Sequence, residues 1–352
     1  MIVEMRRGAT EEQVNAVVER ARQLGCETQL NRGTDKTVVA ILGSDTGLVP
    51  TDVMAVLPGV ASVTRIMVPY KLASRDFKPD PTVVYIGDVP VGGPNLVVMA
   101  GPCAIESYQQ LSGTARHVQG VGARVLRGGA FKPRTSPFSF QGLGLKGVDL
   151  LARVREETGM PVVTEVIDPK HLDSMVPHVD ALQIGARNMQ NYALLRAAGR
   201  SGLPCVLKRG LAATTTEWLQ AADYLLEAGT TQVILCERGI RTFETATRYT
   251  LDISSVGVIK QHSHLPIAVD PSHAAGHYEL VPTLARAAVA AGADALLIEV
   301  HPDPVNALSD GLQSLTFSDF GRLMKEIEAF ARLMGRPINP REGKTMQTGE
   351  AV

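Results

Sequence analysis

Eight short apolar runs, each stopping at a polar or charged residue, dominate the chain from about residue 95 onward. They are LVVMAGPC, ARVLRGGAF, PVVTEVI, ALQIGAR, CVLKRG, QVILCERG, PIAVDPSH and ALLIEVH. Runs of this length read as buried strands. Helical stretches such as GVDLLARVREETG, NYALLRAAGRSG and TTEWLQAADYLLEAG lie between them, most closed by a glycine, as a helix C-terminus should be. Eight such alternations match the strand count of a (β/α)8 barrel. An open doubly wound sheet would predict a GxGxxG turn after its first strand, and GPCAIES stands there instead.

Residues 1–68 follow a different order, strand–helix–strand–strand–helix–strand: MIVEMR, EEQVNAVVERARQLG, ETQLNRG, TVVAILG, TGLVPTDVMAVLPGV and ASVTRIMVP. That is the ferredoxin-like split motif, with a half-open sheet and no catalytic cluster of its own. Residues 69–82 read as a linker and residues 83–338 as the barrel. VVYIGDVPVGG is expected to form a hairpin that plugs the barrel bottom. Residues 339–352 read as a loose polar tail.

A formal net charge of -1 and 5% aromatic residues argue against a nucleic-acid surface. No run reaches the roughly 18 apolar residues of a membrane span, and no apolar leader opens the chain, so a cytoplasmic protein is expected. The four cysteines form no CxxC pair, which argues against a zinc knuckle or a disulfide framework.

In a barrel of this type the C-terminal strand ends converge on one face, where active sites lie. Arg127, Lys132, Arg134, Arg187, Lys208 and Arg238 would then surround one pocket. Their mutual repulsion points to multiply anionic substrates, gripped through carboxylate and phosphate groups. KPRTS, residues 132–136, adds hydroxyls and N–H groups suited to a phosphate. Cys103, His273, Glu299 and Asp310 follow the first, seventh and eighth strands, which closure makes neighbours. A thiolate, an imidazole and two carboxylates suit one divalent ion among Mn, Fe, Co or Zn. A buried structural Cys103 and a helix-capping Asp310 are the plainer alternatives.

At these residues the sequence resembles 3-deoxy-D-arabino-heptulosonate-7-phosphate (DAHP) synthase of the type I beta subclass. The resemblance is carried by GPCAIES, LRGGAFKPRTSP, IGARNMQN, LKRG, CERGIRTFE, VDPSHAAG, EVHPDP and SDGLQSL. It implies metal ligation by Cys103, His273, Glu299 and Asp310. It implies that Arg127, Lys132, Arg187, Lys208 and Arg238 hold phosphoenolpyruvate, and that Arg134, Thr135 and Ser136 hold the phosphate of erythrose 4-phosphate. It further implies a homotetramer inhibited by tyrosine or phenylalanine at the ferredoxin-like domain. Ala274, Ala275 and Leu312 depart from the family's pattern, at positions that are not proposed ligands.

The expected reaction is a metal-assisted, aldol-like condensation, with Lys132 delivering a proton to the aldehyde oxygen. Glu165, Asp270 and His301 are the candidates to orient or deprotonate water. Three rivals are a 3-deoxy-D-manno-octulosonate 8-phosphate synthase using arabinose 5-phosphate, a Schiff-base aldolase using Lys208, and a vestigial barrel that only binds amino acids. KPRTS argues against the first, and the intact set of charged strand ends against the last.

Overall fold

The computed structural model describes residues 1–338, apart from 34–35, 44–45, 47–48, 66–67 and 135. The expected C-terminal tail and Thr135 therefore lie outside the described residues.

The N-terminal unit pairs β1 (Ile2–Met5), β2 (Glu27–Arg32), β3 (Thr37–Leu42) and β4 (Val60–Thr64) in the antiparallel order β2-β3-β1-β4. The helix Glu11–Gln23 has a capping box in which Thr10 and Gln13 satisfy each other's backbone N–H groups. Its apolar face, Val14, Val17, Val18 and Ala21, packs on Val3, Met5, Val39 and Ile41. The second helix is shorter than its sequence suggests, a single turn at Asp52–Ala55. Pro50 stands just ahead of it and Pro58-Gly59 just behind, and prolines limit a helix on both sides.

The other face of this sheet is covered rather than half-open. Ile2, Val38 and Ala40 share a core with Tyr70, Leu72, Ala73 and Phe77 of the connecting segment. That segment is tied to the barrel as well, since Asp223 accepts N–H bonds from Lys71 (2.5 Å) and Ala73 (2.8 Å).

Eight parallel strands close the barrel: β7 (Val97–Gly101), β8 (Val125–Arg127), β9 (Val162–Glu165), β10 (Ala181–Ile184), β11 (Cys205–Lys208), β12 (Val233–Glu237), β13 (Ile267–Val269) and β14 (Ala295–Glu299). β14 pairs with β7, so the first and last strands are neighbours. Side chains alternate along each strand. Val98, Leu126, Leu207 and Leu296 face the helices, whereas Val97, Met99, Val125, Val206 and Leu297 fill the interior. A hairpin of β5 (Val84–Ile86) and β6 (Val89–Val91) adds four fully buried side chains to that interior cluster, as a plug requires. No helix among the described residues is long and apolar enough to cross a membrane.

Candidate active site

Strand alternation decides which charged ends reach the barrel axis. Arg127, Glu165 and Glu299 continue the inward phase of Val125, Val163 and Leu297, and Lys208 and Asp270 that of Val206 and Ala268. Arg209 and Glu237 fall on the outward phase. They pair with each other at 3.0 Å, and Arg209 also binds Asp252 at 2.8 Å, so they tie neighbouring strand ends to the loop before the helix Ser254–His262.

The inward groups form a cleft of about 250 Å³ lined by seven cationic side chains, Arg127, Lys132, Arg134, Arg187, Lys208, Arg238 and Arg248, but only two carboxylates, Glu165 and Asp310. Ser136 lines it too. Two cations are neutralised from behind: Arg127 donates to Glu299 at 2.9 Å, and Lys208 to Asp270 at 2.6 Å. The remaining positive charge is what an anionic ligand would offset. Arg127 Nε is buried without a partner among the described residues, so one donor of this guanidinium is left over for such a ligand. Arg238 is held by its stack on Tyr249, 4.1 Å from the ring centroid.

Beside the cations, single donor atoms of Cys103, His273, Glu299 and Asp310 lie within 4.8 Å of one another. Each is oriented. Asp270 caps the short helix Pro271–Ala275 through the His273 N–H and accepts from His273 Nδ1 at 2.7 Å. That fixes the tautomer and leaves Nε2 free as a ligand. Burial lowers the His273 pKa, which keeps the ring neutral as ligation needs. Burial and then Glu299 push the Cys103 thiol up to about 12, so metal binding must displace its proton. Its Sγ meets Asp310 Oδ2 at 3.1 Å and Lys132 Nζ at 3.0 Å. Asp310, at φ 50°, is the one non-glycine residue with positive φ among the described residues. Such strain persists only where the surroundings impose it. Burial raises the Asp310 carboxyl, but Cys103, His273, Lys132 and Arg248 outweigh that and hold it well below the usual range. The mixed S, N and O donor set fits a borderline divalent ion.

Two glycines stand where an added side chain would press on the site. A Cβ on Gly101, at φ +154°, would lie 2.1 Å from Arg127 O, and one on Gly185 would lie 2.0 Å from Glu165 Oε1. Gly101 is thus required by close approach of the β8 backbone, whereas a side chain at residue 185 would displace the Glu165 carboxylate.

The three water-activating candidates separate. Asp270 is held between Lys208 and His273. His301 does not line the cleft: its Nε2 faces Glu106 Oε2 at 3.3 Å and its Nδ1 accepts from the Asp303 N–H. Only Glu165 opens onto the cleft, where Gln183 donates to it at 3.4 Å. Gln183, Arg248 and Gln313 also belong to the site, and no motif in the sequence marks them as such. Gln183 was detectable as a polar residue on the inward phase of ALQIG. The other two sit in loops whose destination the sequence does not state.

A closed barrel whose mouth combines a cationic cleft with a metal-type donor set defines an enzyme acting on small anionic substrates. The chain belongs to the DAHP synthetase I family, which matches residues 82–333, and residues 1–68 match the DAHP synthase ferredoxin-like domain. It is 47% identical to the phospho-2-dehydro-3-deoxyheptonate aldolase of Thermotoga maritima, over 96% of this chain and 100% of that protein. A crystal structure of the Thermotoga maritima enzyme superposes with a TM-score of 0.77, covering 96% of this chain and 99% of that one. A 2-dehydro-3-deoxyphosphooctonate aldolase of Syntrophotalea carbinolica is 32% identical, over 71% of this chain and 96% of that protein. The chain is thus an enzyme of the transferase class.

Proposed function

We propose that the chain condenses phosphoenolpyruvate with erythrose 4-phosphate and water, releasing phosphate and 3-deoxy-D-arabino-heptulosonate 7-phosphate, the entry step to aromatic amino acids, in the cytoplasm. The observation that carries this reading is the cationic cleft set directly against the four-donor cluster. Arg127, Lys132, Arg187, Lys208 and Arg238 hold the carboxylate and phosphate of phosphoenolpyruvate. Arg134, Thr135 and Ser136 hold the aldose phosphate. Cys103, His273, Glu299 and Asp310 would hold one divalent ion among Mn, Fe, Co or Zn, which supplies Lewis acidity toward the aldehyde oxygen.

C3 of phosphoenolpyruvate bonds to the aldehyde carbon while electrons leave its double bond, and positive character develops at C2. Water adds at C2, and loss of phosphate from that carbon leaves the ketone. Burial alone would lower the Lys132 pKa, but Cys103 and Glu299 outweigh it, so the ammonium keeps a proton for the aldehyde oxygen. Glu165, on the cleft wall, orients the water and takes its proton. The cations keep the two anionic substrates in register.

The ferredoxin-like domain supports feedback inhibition by tyrosine or phenylalanine, and the family resemblance supports a homotetramer. Phosphate release with erythrose 4-phosphate and with arabinose 5-phosphate, each with and without chelator, tests the reading. Faster turnover of the pentose would favour the octulosonate reaction that the 32%-identical relative's name describes. Undiminished rate after chelation would remove the metal. Inhibition by neither amino acid would remove the feedback.

A further inference from the structure

Two side chains outside the four-donor set hold it together. Gln313 is 1% exposed, and its amide bridges Arg248 and Glu299. Oε1 accepts from Arg248 Nη1 at 2.7 Å, and Nε2 donates to Glu299 Oε2 at 2.5 Å. Partner chemistry dictates this amide orientation, because a guanidinium only donates and an ionised carboxylate only accepts. The other oxygen of Glu299 is taken by Arg127. Both oxygens of this carboxylate are therefore fixed by side chains that cannot themselves ligate a cation strongly.

Arg248 reaches the cluster by two further routes. Its Nη1 lies 3.2 Å from Asp310 Oδ1. Its backbone N–H donates to Ala275 O, and the Tyr249 N–H to Ala274 O, which straps the loop after β12 onto the short helix bearing His273. Gly276, at φ +71°, makes room for this contact: a Cβ there would sit 2.3 Å from Arg248 Cβ. One loop residue thus contacts Asp310 directly, Glu299 through Gln313, and the helix that bears His273 through its backbone.

We propose that Arg248 and Gln313 are positioning residues, a clamp that sets Glu299 and Asp310 in their ligating geometry and so determines metal affinity. The proposal rests on the metal reading given above. Residues that orient ligands from behind typically contribute about 10–100-fold in metal affinity when intact.

The test is Mn2+ binding to the purified full chain, followed by the EPR signal of free Mn2+, with steady-state KM values at saturating Mn2+. Gln313→Met and Gln313→Leu are both made, so that a folding failure of one leaves the other. Each is expected to weaken Mn2+ binding by about 10–100-fold. Arg248→Met is expected to weaken it too, and the double variant to lose less than the product of the single losses, since part of Arg248 acts through Gln313. The absorption spectrum of the Co2+-loaded protein should shift in the Gln313 variants, and the KM values should not move. Unchanged Mn2+ affinity in a folded Gln313 variant would overturn the clamp. So would a raised aldose KM in Arg248→Met with Mn2+ affinity intact, which would make Arg248 a substrate-phosphate ligand. A wild-type chain that retains no Mn2+ would instead overturn the metal reading itself.

Discussion

The two ends of the barrel are made from the same eight strands and have opposite chemistry. At the N-terminal end Val84, Ile86, Val89 and Val91 seal the interior with apolar side chains, all fully buried. At the C-terminal end Asp270 and Glu299 are just as inaccessible, and Arg127 and Lys208, which line the cleft, nearly so, yet all four are charged. Burying apolar surface contributes about 25 cal/mol per Å² to folding. Burying charge costs free energy that pairing recovers only in part. The bottom therefore supplies stability that the mouth consumes, and a site with excess positive charge can exist only on such a base.

The largest expected effect breaks the mouth alone. Cys103→Ala should reduce turnover to background and abolish Mn2+ retention, while the free energy of unfolding changes by on the order of 1 kcal/mol. Activity assays beside urea unfolding check this, and a large loss of stability would mean that the two ends are not separable. The converse change is Ile86→Ala at the bottom. It should destabilise by about 2–5 kcal/mol, with turnover per folded molecule and Mn2+ affinity unaltered.

The third test uses pH. His264, in the turn before β13, has its pKa lowered from 6.5 to about 4 by burial. Its Nδ1 accepts from Thr82, whose hydroxyl in turn accepts from Lys78 at 2.8 Å, and its Nε2 donates to Leu72 O at 2.7 Å. The unfolded chain binds a proton here between pH 6.5 and 4 and the folded chain does not, so stability is lost as pH falls through that window. The full loss is about 3 kcal/mol. Burial raises the Asp223 carboxyl to about 6, which adds a slope of opposite sign, so the quantity to read is the urea-midpoint difference between the wild type and His264→Leu at several pH values, which should follow the His264 slope. A difference that does not vary with pH would remove His264 from this account.

The smallest effect is expected at the hairpin tip. Gly87 has φ +59°, and a Cβ there would approach Pro161 Cγ to 2.8 Å. Gly87→Ala should cost about 1–2 kcal/mol, read as a lowered Tm with activity intact.

Much of this contrast is legible in the sequence. The barrel strands stand where the apolar runs predict them, because a run buried on both faces leaves its mark in residue type alone. The hairpin was legible from VVYIGDVPVGG for the same reason. The second helix of the small domain is shorter than TGLVPTDVMAVLPGV suggests, because Pro50 and Pro58 bound it. The second face of its sheet looks half-open from the sequence, because its cover comes from Tyr70, Leu72 and Phe77, a segment that reads as a linker.

In the mouth, the sequence by itself determined the kinds of group present. Arg127, Lys208, Asp270 and Glu299 stand at strand ends, and strand ends of a closed barrel must converge. Tertiary structure decided what each group does there. Only the folded chain shows that Asp270 serves Lys208 and His273, that His301 faces Glu106 rather than the cleft, and that Glu165 is left facing it. Only the fold brings Arg248 and Gln313 behind the donor set. The physical reason is one of range. Burial and alternation are local and periodic, so they are written along the chain, whereas hydrogen-bond partners are chosen across it, by loops whose paths no local pattern encodes.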